Sequence, residues 1–108
     1  MKIAFNSGIH GNLPAFQAVN NNIEHWKPDM LVGAGDIINR GPDPQGCLRF
    51  IVNQSQTSGW QVIFGNHEKY VFGLGRQLPL LGTQYAFHQP AIWTYDQIFD
   101  SRYVYYER

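Results

Sequence analysis

Met30-Leu31-Val32-Gly33-Ala34-Gly35-Asp36-Ile37-Ile38-Asn39-Arg40-Gly41-Pro42-Asp43-Pro44 is the stretch that decides the fold. It opens as an uncharged apolar run, stops at Gly35-Asp36, and passes into a loop holding Pro42 and Pro44. An apolar run of this length, bounded by glycine, reads as a buried strand. The chain on either side repeats the theme. Upstream, Lys2 to Asn6 is short and mostly apolar, ending in Ser7-Gly8-Ile9-His10-Gly11-Asn12. Leu13, Phe16, Val19, Ile23 and Trp26 then recur at steps of three and four, the spacing of an amphipathic helix. Asn12 can cap that helix, Pro14 is tolerated in its first turn, and Lys27-Pro28-Asp29 ends it. Downstream, Leu48, Ile51 and Val52 form the apolar face of a second helix. Trp60 to Phe64 then reads as a third strand, ending at Gly65-Asn66-His67-Glu68.

Strand, helix, strand, helix, strand at this spacing predicts an α/β fold, a parallel sheet with flanking helices. In such sheets ligands bind just beyond the carboxyl ends of the strands. His10, Asp36, Asn66 and His67 all follow predicted strand ends. Three separate loops therefore bring proton-transferring and metal-capable side chains to one edge. Composition sets the outer bounds. With 108 residues the chain is one small domain or part of a larger one. Eight Lys plus Arg against eight Asp plus Glu give zero net charge, which offers no reason to expect nucleic acid or an acidic membrane surface as partner. No apolar run is long enough to span a bilayer, and the amino terminus turns polar too early for a secretory signal. Cys47 stands alone, so no internal disulfide framework exists and the cytoplasm is the expected compartment.

The last third has a different texture. Of 16 aromatic residues, 8 fall between Tyr85 and Tyr106. Gly73, Gly75, Pro79 and Gly82 predict a loop or cap over 69–91, whose Leu78, Leu80 and Leu81 could fold over the site. A helix is expected over 92–108, with Ile92, Tyr95, Phe99, Tyr103 and Tyr106 near one face. A strand at Tyr103 to Tyr106 is the rival reading.

Three blocks, in order, carry a resemblance: Gly8-Ile9-His10-Gly11-Asn12, then Gly35-Asp36 through Pro44, then Gly65-Asn66-His67-Glu68. Together they resemble the calcineurin-like metallophosphoesterase superfamily. Trp93-Thr94-Tyr95-Asp96-Gln97 is also similar to a helix that follows the third block in bacterial members. The resemblance covers nearly the whole chain, but only the amino-terminal half of the family's domain. It implies a single partial domain over 1–108, an incomplete half of a two-sheet sandwich.

It further implies a hydrolase in which two divalent cations activate a hydroxide for in-line attack on phosphorus. Phosphate esters repel nucleophiles by their own charge, and a cation pair about 3.5–4 Å apart neutralises it. By resemblance, Asp36 bridges the two metals, His10 binds one and Asn66 the other. Mixed nitrogen and oxygen donors suit manganese, iron, zinc or nickel. His67 would face the leaving-group oxygen as the catalytic acid. Arg40 offers a fork for phosphate oxygens, and Asn39 would orient the His67 imidazole without adding negative charge. Plainer roles exist for several neighbours. Glu68 reads as a loop hydrogen-bonder, Arg40 could pair with Asp43 or Glu68, and Cys47 reads as a small buried apolar residue.

Two departures matter. The family's first Asp falls at position 8, which is Gly8; Asn6 lies two residues earlier on the same strand face, but deeper. The chain reaches Arg108 without the family's later lone His and Gly-His-x-His blocks. Weak, partial metal binding and little turnover are therefore expected of these 108 residues alone. The expected ligand is a small phosphoester or nucleotide, with self-association through an exposed sheet edge. A non-catalytic remnant, or a phosphate- or protein-binding module, is the alternative.

Overall fold

The computed structural model describes residues 1–98. In chain order these are β1 (Ile3–Asn6), α1 (Leu13–Trp26), β2 (Met30–Gly33), α2 (Pro44–Ser58), β3 (Gln61–Val62), α3 (Asn66–Gly75) and α4 (Gly82–Ile98). The three strands form one parallel sheet in the order β1-β2-β3, with Ile3 beside Met30, Asn6 beside Gly33 and Gly33 beside Val62. The α/β expectation holds, and every carboxyl strand end lies along one edge.

Local chemistry sets the boundaries. Asn12 Oδ1 accepts the Ala15 N–H at 3.2 Å, opening α1, and Lys27 closes it in the left-handed conformation. Asp43 Oδ1 accepts the Gly46 N–H at 2.8 Å ahead of Pro44, and Gly59 ends α2. The buried cluster includes Phe16 from α1, Cys47, Leu48 and Ile51 from α2, Val71 and Phe72 from α3, and Ile92 and Ile98 from α4. Cys47 is fully enclosed. Burial, aided by the nearby Asp43 charge, pushes its thiol up to about 12, so it is inert at neutral pH.

Three expectations need correction. First, the strands are not buried on both faces. Ala4 and Asn6 turn into the core, whereas Ile3, Phe5, Met30 and Ile63 remain 40%, 67%, 43% and 59% exposed. The register sets Ile3 and Met30, then Phe5 and Val32, side by side on that outer face. Second, β3 is only Gln61–Val62. Trp60 turns inward and donates its N–H to the Gln54 carbonyl, while Phe64 stacks on Phe72 at 5.7 Å. Third, most of the 69–91 stretch is helical, with only 76–81 between α3 and α4. Gly75 is the last residue of α3 rather than part of a loop. A side chain there would fall on the Tyr95 ring, so the glycine lets α4 lie against α3. Leu78 and Leu80 pack on the core rather than over the strand ends. The predicted helix begins at Gly82 rather than at Ile92. Its extension beyond Ile98, and the rival strand at Tyr103 to Tyr106, lie outside the described residues.

Candidate functional site

The loops after β1 and β2 are zipped together by backbone. His10 N–H donates to the Asp36 carbonyl at 3.0 Å, Gly11 N–H to Ile37 at 2.8 Å, and Asp43 N–H to Gly11 at 2.9 Å. Such close approach needs Gly41, because a Cβ there would fall on the His10 carbonyl. The loop after β3 is tied in by one buried carboxylate. Glu68 accepts the N–H groups of Asp36 at 2.6 Å, Ile37 at 2.9 Å, Ile38 at 3.2 Å and Gly65 at 2.9 Å. It is 1% exposed, and these donors replace the water it has lost. The loop hydrogen-bonding role expected of Glu68 is thus observed. The local cue was a Glu at the third helical position after Gly65, half of a capping box.

Within this frame His10, Asp36, Asn39 and Arg40 all have positive φ, at 49°, 56°, 76° and 65°. Left-handed backbone is uncommon for side-chain-bearing residues, and four in two adjoining loops mark a place where geometry is imposed from outside. His10 Nδ1 lies 3.1 Å from the Asn39 carbonyl. A carbonyl only accepts, so Nδ1 carries a proton, and in the neutral ring that leaves the lone pair on Nε2, the form a metal ligand needs. The His10 and His67 rings meet edge to face, with centroids 4.6 Å apart. Asn39 Nδ2 lies 3.1 Å from His67 Nδ1. With its nitrogen toward the ring the amide donates to His67 Nδ1, which places the proton of the neutral ring on Nε2; Asn39 Oδ1 has no partner among the described residues.

Asp36 Oδ1 accepts the His67 N–H at 3.1 Å. The Asn66 amide oxygen also faces the Asp36 carboxylate; turned over, its nitrogen would donate to Oδ1 at 3.1 Å and Oδ2 at 3.3 Å. The turned amide satisfies both groups, and the imidazole of His10, the carboxylate of Asp36 and the amide oxygen of Asn66 are donor types that a divalent ion accepts. The set is small, however. Among the described residues no group of three or more His, Cys, Asp or Glu side chains gathers to hold a metal. Gly8 has open space where a Cβ would stand and φ of +67°. Asn6 is buried with neither amide atom partnered among the described residues. Asp43 caps α2 and Glu68 is taken up by backbone, so Arg40 lies exposed rather than in either of the suggested pairs.

The model of the calcineurin-like phosphoesterase family matches residues 1–106. The chain belongs to that family. A metallophosphoesterase structure from Sphaerobacter thermophilus superposes with a TM-score of 0.73 at 25% identity, over 99% of this chain and 40% of the other. The symmetrical bis(5'-nucleosyl)-tetraphosphatase of Cellvibrio japonicus is 43% identical over 53 residues, covering 45% of this chain and 19% of that protein. The uncharacterized protein MJ0912 of Methanocaldococcus jannaschii is 35% identical over 71 residues, covering 66% of this chain and 28% of its own length. The chain therefore spans less than a third of the curated relatives it matches. Among the described residues no helix is long and apolar enough to cross a membrane.

Proposed function

We propose that the chain contributes one half of a metal-dependent phosphoester hydrolase site, at the joined ends of β1, β2 and β3. The observation that carries this reading is the convergence of His10, Asp36, Asn66 and His67, with the free His10 Nε2 selected by the Asn39 carbonyl. His10, Asp36 and Asn66 are the residues that would hold divalent cations. Such ions neutralise phosphoryl charge and lower the pKa of bound water. His67 presents an N–H at Nε2, suited to hydrogen-bonding the departing alkoxide oxygen. Asn39 holds that ring in register, and exposed Arg40 offers a planar fork for phosphate oxygens. The substrate class is a small phosphoester, nucleotides included. The name of the Cellvibrio relative favours this class. The lone buried thiol of this chain, Cys47, suits a reducing compartment such as the cytoplasm.

Three ligands divided between two ions bind weakly. The family's lone His and Gly-His-x-His have no counterpart among these 108 residues. A second reading, a phosphate-binding remnant without turnover, is favoured specifically by Gly8 and by the absence of a metal-holding cluster among the described residues. Manganese titration followed by calorimetry, then hydrolysis of generic mono- and diesters, separates the two. The enzyme reading expects metal-dependent turnover that Asp36→Ala lowers by about 10²-fold or more, the scale of losing one transition-state contact. Measurable manganese binding with no turnover at any concentration supports the remnant. Absence of both overturns the metal site.

A further inference from the structure

Two contacts fix how α4 lies on α3. Tyr70 on α3 meets His88 on α4, its hydroxyl 2.5 Å from His88 Nδ1 and the ring centroids 5.7 Å apart. Further along both helices, Gly75 of α3 faces the Tyr95 ring of α4. Sequence number rises in the same direction on each, so the two helices run parallel. The turns of α4 before His88 must then extend past Tyr70 toward the amino end of α3. That end carries Asn66 and His67 at the site.

These turns have an unusual surface. From Gly82 to Pro90 every residue is exposed except His88, which is half-buried. Phe87 is 79% exposed and packs its ring edge-to-face on His88 at 4.8 Å. Tyr85 is 46% exposed and Tyr70 37%. Tyr70 is also three residues after His67, so the two side chains are helix-surface neighbours, about 5–6 Å apart at Cβ. Tyr70, His88 and Phe87 thus form a continuous run of rings, leading outward from the helix that carries His67. The Tyr70–His88 hydrogen bond holds the middle of the run in place.

We propose that this run is a stacking platform for a planar aromatic group on the phosphoester, a nucleobase, whose phosphate lies at His67. The inference rests on the phosphoryl site proposed above, and it narrows the substrate to nucleoside phosphates. Every base offers a π-face, and aromatic side chains take such faces with little sequence preference. Exposed rings beside a polar phosphate pocket match the two halves of a nucleotide. Neither the sheet edge nor the outer face of the sheet offers that pairing.

The test compares three ligands by calorimetry with manganese present: adenosine 5'-monophosphate, ribose 5-phosphate and adenosine. The monophosphate is expected to bind about tenfold tighter than ribose 5-phosphate, a difference of about 1.4 kcal/mol. Phe87→Ala and His88→Ala should each shrink that ratio toward one while leaving ribose 5-phosphate affinity unchanged. Both positions lie on the exposed part of α4, and Tyr70→Phe, which keeps the ring but removes the hydroxyl, provides a milder third variant. Equal binding of the two phosphates, or a ratio the variants do not move, overturns the platform and leaves the phosphoryl site standing. Binding of adenosine alone supports the platform and overturns the phosphoryl site. No binding of any of the three overturns both.

Discussion

The loop cluster at the strand ends and the outer face of the sheet are both open to solvent, yet they are built in opposite ways. In the cluster, nearly every backbone donor near the turn has a named partner, Glu68 alone taking four, although the Asn6 amide and Asn39 Oδ1 have none among the described residues. On the outer face Ile3, Phe5, Met30 and Ile63 stand exposed. A parallel sheet is ordinarily covered on both sides. The contrast separates two sources of order. The cluster is fixed by directional bonds that tolerate few alternatives, whereas the outer face is fixed only through the backbone beneath it.

The strongest way to break this contrast is Glu68→Ala. It removes the acceptor from four N–H groups, and each buried donor left unpaired costs about 1–3 kcal/mol. Water entry will recover part of that. A net loss of about 3 kcal/mol or more is expected in urea unfolding, a large share of a small domain's stability. Glu68→Gln keeps one acceptor oxygen and should fall between. A loss below about 1 kcal/mol would mean that the backbone pairs of His10 and Gly11 hold the loops unaided.

The same contrast explains what was legible in the sequence. Polar loop residues announce themselves: Asn12 as a cap, Gly35-Asp36 and Asn66-His67 as strand ends, Glu68 three positions into a helix. Asn39 was expected to orient His67, and the two side chains do meet. The left-handed backbone at Arg40 gave no such cue, because that residue type does not favour it and the cause lies in the neighbouring loop. Apolar segments were harder. Every position of Ile3-Ala4-Phe5 is apolar, so no alternation tells which face is covered. Gly73 and Gly75 looked like loop residues because a helix glycine has meaning only through what approaches it. At Gly75 that is Tyr95, far along the chain. The Tyr70–His88 pair had no local signal for the same reason.

Gly8→Asp sharpens the comparison from the polar side. The position lies in the loop frame, its backbone donating to the Gly35 carbonyl at 3.3 Å, and a side chain there would meet nothing within 4 Å. Space is available, but φ of +67° is a left-handed conformation that costs an L-residue roughly 1–2 kcal/mol. The variant should therefore be less stable by about that amount and bind manganese about tenfold more tightly, which requires only about 1.4 kcal/mol from the added carboxylate. Calorimetry and thermal unfolding read the two effects separately. Lost stability with unchanged affinity would remove position 8 from the metal site.

Phe5→Ser approaches the contrast from the apolar side and has the smallest expected effect on folding. Phe5 is 67% exposed on the outer face, so its removal forfeits little buried area and should change stability by no more than about 0.5 kcal/mol. Its effect belongs in association. An exposed apolar sheet surface on a chain of zero net charge has nothing to repel a second copy. Sedimentation velocity should therefore show concentration-dependent self-association that weakens in Phe5→Ser and further in Phe5→Ser with Ile63→Ser. If Phe5→Ser instead costs about 2 kcal/mol in the monomer, the ring is buried in solution, and the two regions are then alike in being held by their contacts. Loss of association without loss of stability has the opposite meaning: the outer face is order inherited from the strand backbone, and its side chains are surface available to whatever apolar partner meets the sheet.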